Sequence, residues 1–252
     1  MEIELSRSTY FRDILKAINS INDEITLNFN EDSLTVLSMD PSHVALIDLE
    51  IPKEAFEKWH VPEPTTRICL NIKEVLKTVF KKTYKDEMLL FEYDPNKDDS
   101  TATFTLRSDV RRIKKVPVLE PLEEEIPQPR IFFKSRARLL SKTVKRKILD
   151  DLSTSSEHLR ISISDDEILF SVNSGEEKTP LERDNDNVLE LKCDEESSAT
   201  YTMSYLMDIF KGFQDLTEVV SLHLSEDMPI KIEVELPQGR LDYYVAPCIG
   251  ID

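Results

Sequence analysis

The sequence predicts an α+β protein of two similar domains, each built of antiparallel sheet with helices on one face. Three observations predict it. Helices and alternating strand pairs follow one another in the same order in both halves. The polar turn "NEDS" at 30–33 is matched by "SDDE" at 164–167, an offset of 134 residues. A repeat of that length implies a duplicated domain and not a short-period solenoid.

The first half opens on a strand and a helix, "TYFRDILKAINSI". Phe11, Ile14, Leu15, Ile18 and Ile21 recur at helical spacing. "EITLNFNEDSLTVLSMD" alternates on both sides of its turn and reads as a hairpin, with more strand in "HVALIDLEI". A second helix is expected in "NIKEVLKTVFKK", with Ile72, Val75, Leu76, Val79 and Phe80 on one face. "EMLLFEYD" and "TATFTLRSDV" flank the turn "PNKDDS" as strands.

The second half repeats the order. A helix is expected over roughly 136–150, followed by the hairpin "HLRISISDDEILFSVNS". A further helix lies in "TMSYLMDIFKGF", and the half closes with strands in "VVSLHLSEDMPIKIEVEL" and "RLDYYVAP". Between the halves, "VPVLEPLEEEIPQPR" holds four prolines, a block of acids and no glycine. Proline removes amide donors and stiffens the chain, so this stretch reads as an extended linker. The expected boundaries are 1–115, a linker at 116–130, and 131–252.

Composition excludes several classes. Only four glycines are present, none close to another, so no phosphate-cradling loop can be built. Cys69, Cys193 and Cys248 form no CxxC pair, and an odd, sparse count fits a reducing compartment. The four histidines are scattered. No apolar run is long enough to cross a bilayer, and the first residues carry no signal-peptide pattern. The expectation is an intracellular protein without catalysis, metal or cofactor.

Charge is unevenly placed. The formal net charge is −17, yet seven of residues 134–147 are Lys or Arg. On a helix at 136–150, Leu140, Val144 and Ile148 would form an apolar stripe, with Arg138, Lys142, Lys145 and Arg146 on the other side. Arg12 and Lys16 face away from Phe11, Ile14 and Ile18. Lys73, Lys77 and Lys81 make another row, followed by Lys82 and Lys85. Such faces read either as solvated surface or as a sequence-indifferent contact for phosphates. The helix near 203–213 offers only Lys211.

The segments "LSMDPSHVALIDLEI" (37–51) and "LDYYVAPCIGID" (241–252) resemble the sliding-clamp family, the proliferating cell nuclear antigen type of archaea and eukaryotes, with the archaeal type as the nearer match. "YTMSYLMDIFKGF" and "SEDMPIKIEVEL" match the family's last helix and the strands after it. The resemblance runs over nearly the whole chain and implies a DNA-clamp fold. Three two-domain subunits would form a closed ring, with helices lining a hole that holds duplex DNA. The compartment would be cytoplasm or nucleoid in an archaeon and nucleus in a eukaryote. Family pore positions fall on Lys77 and Lys211, with Arg12, Lys16, Lys81, Lys82, Lys142, Lys145 and Arg146 as neighbours. The 141–158 segment is longer than the family pattern, which shifts the alignment there.

The resemblance also implies a pocket for short peptides carrying a glutamine and paired aromatics, used by polymerase, ligase, flap endonuclease and clamp loader. Its walls would be Met39, His43, Val44, Leu46, Pro229, Tyr244, Ala246 and Pro247, with Leu119, Leu122, Ile126 and Pro127 closing one side. Acids 123–125 would attract basic residues flanking the peptide. Ring closure would join basic "DVRRIKKVP" (Arg111, Ile113, Lys115) to the more acidic "EEKTPLERD" (Glu177, Leu181) of a homotrimer or heterotrimer. Two other readings stand beside this one. One is an acidic, histone-chaperone-like scaffold that never encircles DNA. The other is a hydrolase using scattered carboxylates.

Overall fold

Period-two and helical patterns condense into two units in the computed structural model, which describes residues 1–62, 64–96, 100–121, 126–127 and 129–250. One unit comprises Met1–Ser38, Asp48–Ile126 and Pro237–Arg240. The other comprises Met39–Ile47, Pro127–Leu236 and Leu241–Asp252. The family-like segment around 40–47 therefore belongs with the second unit although it lies in the first half of the sequence.

The first-half strands are β1 (Glu2–Leu5), β2 (Glu24–Asn30), β3 (Ser33–Met39), β4 (Ala45–Pro52), β5 (Lys58–His60), β6 (Thr65–Asn71), β7 (Met88–Tyr93), β8 (Thr101–Arg107) and β9 (Arg111–Pro117). One antiparallel sheet runs β5-β1-β7-β8-β9. β2 pairs antiparallel with β3 and with β6. Burial alternates as the pattern requires, with Ile25, Leu27 and Phe29 of β2 inside. Phe11, Phe29, Phe80, Phe91 and Phe104 interlock in the core, with the Phe91 and Phe104 rings 4.7 Å apart.

Helix Ser8–Asn19 buries Phe11, Ile14, Leu15 and Ile18, as its spacing predicts. Helix Ile72–Thr78 starts on Asn71, whose side chain accepts a hydrogen bond from the Glu74 amide at 2.9 Å. It ends earlier than the sequence pattern predicts. The Thr78 hydroxyl bonds back to the Glu74 carbonyl at 2.6 Å, and the Phe80 amide reaches the Val75 carbonyl in a widened turn. Val79 and Phe80 are both buried, and placing Phe80 edge-on to Phe104 takes the chain off the helical path. Lys81 and Lys82 thus follow the helix instead of extending its row.

The second-half strands are β10 (Ser135–Leu140), β11 (His158–Ile163), β12 (Glu167–Val172), β13 (Glu177–Glu182), β14 (Val188–Cys193), β15 (Ser197–Thr202), β16 (Val219–Leu224), β17 (Ile230–Glu235) and β18 (Arg240–Val245). One sheet runs β13-β12-β11-β15, and β14-β10-β16-β17 run side by side in the other. Pro180 lies in the edge strand β13, where a missing amide is tolerated.

The helix expected over 136–150 is corrected here. Ser135–Leu140 is a strand hydrogen-bonded on both sides, with Ser135, Ala137 and Leu139 buried. Arg136 and Arg138 emerge on its other face and meet acids of β14 and, one strand beyond β16, of β17. Arg138 clasps Glu235 at 2.5 and 2.8 Å, and Arg136 lies 3.3 Å from Glu190. The helical segment is 141–152. Its middle, Val144–Leu149, is π-helical, with more residues per turn than an α-helix. Val144, Ile148, Leu149 and Leu152 form its buried side, so Leu140 is not part of the stripe.

Candidate functional site

Three groups of residues carry the functional expectations. The first is cationic. Arg12 is not a free cation: its guanidinium donates to Asp13 at 2.8 and 3.0 Å and to the Thr83 hydroxyl at 2.5 Å. The buried Asp13 also takes Lys16 at 3.0 Å. The pair therefore ties helix Ser8–Asn19 to the segment after helix Ile72–Thr78. Lys77 is 73% exposed and 3.6 Å from Glu74, while Lys81 and Lys82 are exposed with no acid partner among the described residues. Exposed pairs of this kind are worth only about 0–1 kcal/mol, so a phosphate can displace the acid.

In the second unit, Lys142 donates to Glu218 at 2.8 Å on open surface. Lys145 is only 15% exposed and donates to Asp150 at 2.5 Å. Both line a 70 Å³ cavity with Arg146, Phe210 and Gln214, where the 141–152 segment adjoins the end of helix Met203–Phe213. Arg146 and Lys211 are exposed and have no acid partner among the described residues. Lys211 sits in the last turn of its helix, where a cation is favoured.

The second group is the loop between β3 and β4. Its centre is Asp40, which is 4% exposed. The carboxylate accepts the amides of Ser42 (2.9 Å), Val44 (2.7 Å) and Ala45 (2.6 Å) and the hydroxyl of Tyr205 (2.8 Å). Burial alone would raise its pKa, but these four donors outweigh burial and hold it below the usual carboxylate range. Burial and the Asp40 bond together push the Tyr205 hydroxyl up. The turn places His43 at φ 58, exposed, and Val44 half-buried.

The Val44 carbonyl accepts the Ala246 amide at 2.8 Å, and the Cys248 amide reaches the Thr200 carbonyl at 2.7 Å. Val44 and Ala246 are thus brought together. Met39, Pro229, Tyr244 and Pro247 are half-buried in the same unit. Leu46, expected as a wall, is 4% exposed and packs with the core beneath the loop. Leu119 is tied to Cys69 in the first unit, its amide donating to the Cys69 carbonyl at 2.9 Å. Ile126 is half-buried in the first unit and Pro127 exposed in the second. Leu122 and the acids 123–125 lie outside the described residues.

Sequence reasoning missed Asp40 and Tyr205. The available signal was "MDPS", since Asp before Pro and Ser is a turn that its own carboxylate closes.

The third group is the sheet edges. β9 is an edge strand with Arg111, Ile113 and Lys115 exposed, and Val110 beside it is exposed as well. Arg112 faces inward, bonded to the buried Glu87 and lying 5.7 Å over the Tyr84 ring. β13 is the edge of its own sheet, with Glu177 exposed and accepting from the Ser155 hydroxyl at 2.7 Å. Leu181, expected at the subunit interface, is 6% exposed within its unit. Among the described residues no cluster of three or more His, Cys, Asp or Glu could hold a metal ion, and no helix is long and apolar enough to cross a membrane.

The family model "Proliferating cell nuclear antigen, N-terminal domain" matches residues 1–118, and its C-terminal counterpart matches 130–248. DNA polymerase sliding clamp 1 of Thermococcus kodakarensis is 28% identical, over 98% of this chain and 97% of that protein. The DNA polymerase sliding clamp of Methanococcus vannielii is 28% identical over 95% of each. The crystal structure of PCNA from Thermococcus kodakaraensis superposes with a TM-score of 0.89 at 22% identity, covering 98% of this chain and 99% of that one. A chain of the PCNA2-PCNA3 complex from Sulfolobus tokodaii gives 0.86 at 24%, with coverage of 98% and 99%.

Proposed function

Because the chain belongs to the proliferating cell nuclear antigen family, we propose that it is a DNA polymerase sliding clamp, which encircles duplex DNA and tethers replication and repair enzymes without catalysing a reaction. The observation that carries the reading is the match of both family domains, in order, over nearly the whole chain. The cations supply its physics. Arg146, Lys211, Lys81 and Lys82 are exposed and have no acid partner among the described residues, in a protein of net charge −17. Lys77 and Lys142 hold exposed acids that a phosphate can displace, while Arg12 stays committed to the buried Asp13. Lys and Arg on flexible stems attract a phosphate backbone without fixing a register, which is what sliding requires.

Ring closure in this reading joins the basic edge β9 of one subunit to the acidic edge β13 of the next, in a homotrimer or a heterotrimer with related chains. Unpaired sheet edges seek such partners. Client enzymes (polymerase, ligase, flap endonuclease) and the clamp loader dock a glutamine-and-aromatic peptide against His43, Val44, Ala246 and Pro247. DNA as the partner places the protein inside the cell.

The test is topological. Clamps loaded onto nicked circular DNA should co-elute with it through gel filtration and be lost once the circle is linearised. Equal retention on both forms would support an acidic scaffold that binds without encircling.

A further inference from the structure

We infer that Tyr205, acting through Asp40, holds the 40–45 loop in the shape that receives the client peptide, which makes both of them positioning residues for peptide capture. The inference rests on the docking reading above and names two residues outside the expected pocket walls. Neither needs to touch the peptide.

A carboxylate offers about four lone-pair sites. Asp40 fills them with three loop amides and one hydroxyl from another element. Its main chain closes the same loop, with the Asp40 amide donating to Ala45 and the His43 amide donating to Asp40, both at 2.9 Å. The closed turn holds His43 at φ 58, a left-handed conformation that is unfavourable for a non-glycine residue. Such a conformation persists only where its surroundings over-determine it. Ser42 and Tyr205 share one carboxylate oxygen, and Val44 and Ala45 share the other. Removing the hydroxyl frees the carboxylate to rotate away from the amides that shape the turn.

Tyr205 is well placed for this role. It is the third residue of helix Met203–Phe213, which follows β15 without a break. β15 holds the other wall of the pocket, because the Thr200 carbonyl accepts the Cys248 amide, and the Thr202 hydroxyl lies 3.3 Å from the Cys248 sulfur. The Val44–Ala246 bond then joins the two walls. Both sides of the docking surface therefore hang from one strand–helix junction, whose helix carries the exposed Lys211 in its last turn.

The experiment compares the wild-type protein with Tyr205→Phe, which keeps the ring, and with Asp40→Asn, which puts an amide donor among amide donors. Hydrogen–deuterium exchange is followed at the amides of residues 42–46. Affinity is measured for a synthetic peptide carrying the glutamine and paired aromatics, and the melting temperature is recorded alongside. The expected result for Tyr205→Phe is exchange about tenfold faster at Ser42, Val44 and Ala45, with peptide binding about three- to tenfold weaker, the size of one lost charge-assisted hydrogen bond. Asp40→Asn should do more on both readouts. Unchanged exchange in Tyr205→Phe would overturn the inference whatever the peptide does. Faster exchange with unchanged affinity would overturn it too. A wild-type protein that ignores the peptide would instead sink the docking reading, while the exchange data still decide whether Tyr205 holds the loop.

Discussion

Arg112 lies 2.5 Å from Glu87, and Glu87 is 1% exposed. The same carboxylate accepts the Ser8 hydroxyl at 3.3 Å and the Tyr84 amide at 3.4 Å. Arg112 belongs to the basic edge strand β9, yet it is committed to its own subunit. Its neighbours Arg111, Lys114 and Lys115 are the exposed ones. One strand thus serves two ends, anchoring inward and presenting charge outward.

Reversal of charge on β9 should therefore split into two outcomes. Arg112→Glu leaves a buried carboxylate facing a second one and should destabilise the fold by about 3 kcal/mol, read by chemical denaturation. Arg111→Glu with Lys114→Glu and Lys115→Glu should leave the monomer's stability almost unchanged and halt ring assembly, read as monomer mass by light scattering. An unchanged assembly mass in the triple variant would remove β9 from the interface.

The exposed cations Arg146 and Lys211 should govern DNA attraction. Arg146→Ala and Lys211→Ala are each expected to reduce the slope of log affinity against log salt by roughly one, uniformly across DNA sequences. Arg12→Ala should act differently, since Arg12 binds Asp13 and Thr83. It is expected to lower the melting temperature more than the salt slope. Equal slopes for wild type and the Arg146 and Lys211 variants would place the DNA elsewhere.

Acid stability offers a third measurement. The His223 ring bonded to Glu233 at 3.0 Å, helped by Lys231 and Arg136 and opposed by partial burial, holds that carboxyl down to about 2. A depressed carboxyl stabilises the fold fully above the ordinary range near 4.5, and the contribution is lost as pH falls toward about 2. Glu233→Gln should therefore cost stability at neutral pH and flatten the decline between those values. Denaturant midpoints across a pH series check it, and parallel acid limbs would contradict it.

Much of the fold was legible because its local signals agree. Hairpins around 30–33 and 164–167 alternate cleanly on both sides of polar turns, and no competing period runs through them. Residues 135–140 were not legible in the same way. Leu140, Val144 and Ile148 stand four apart and suggest a helix beginning too early, while Ser135, Ala137 and Leu139 also satisfy a strand. Pairing with β14 and β16 decides between them, and those partners lie more than 45 residues away along the chain. Helix Ile72–Thr78 ends short for a related reason, since the core claims Phe80.

By itself the sequence determined the duplicated α+β plan, the basic positions, the proline-rich link and the segments that resemble a clamp, because all of these are written in short-range pattern and composition. Only the tertiary structure decided which cations stay free, which are spent on Asp13, Glu87, Glu235 or Asp150, and that Asp40 meets Tyr205 across 165 residues of chain. The physical reason is that a charge or a hydrogen bond takes its meaning from its partner, and partners are chosen by packing that no local window contains.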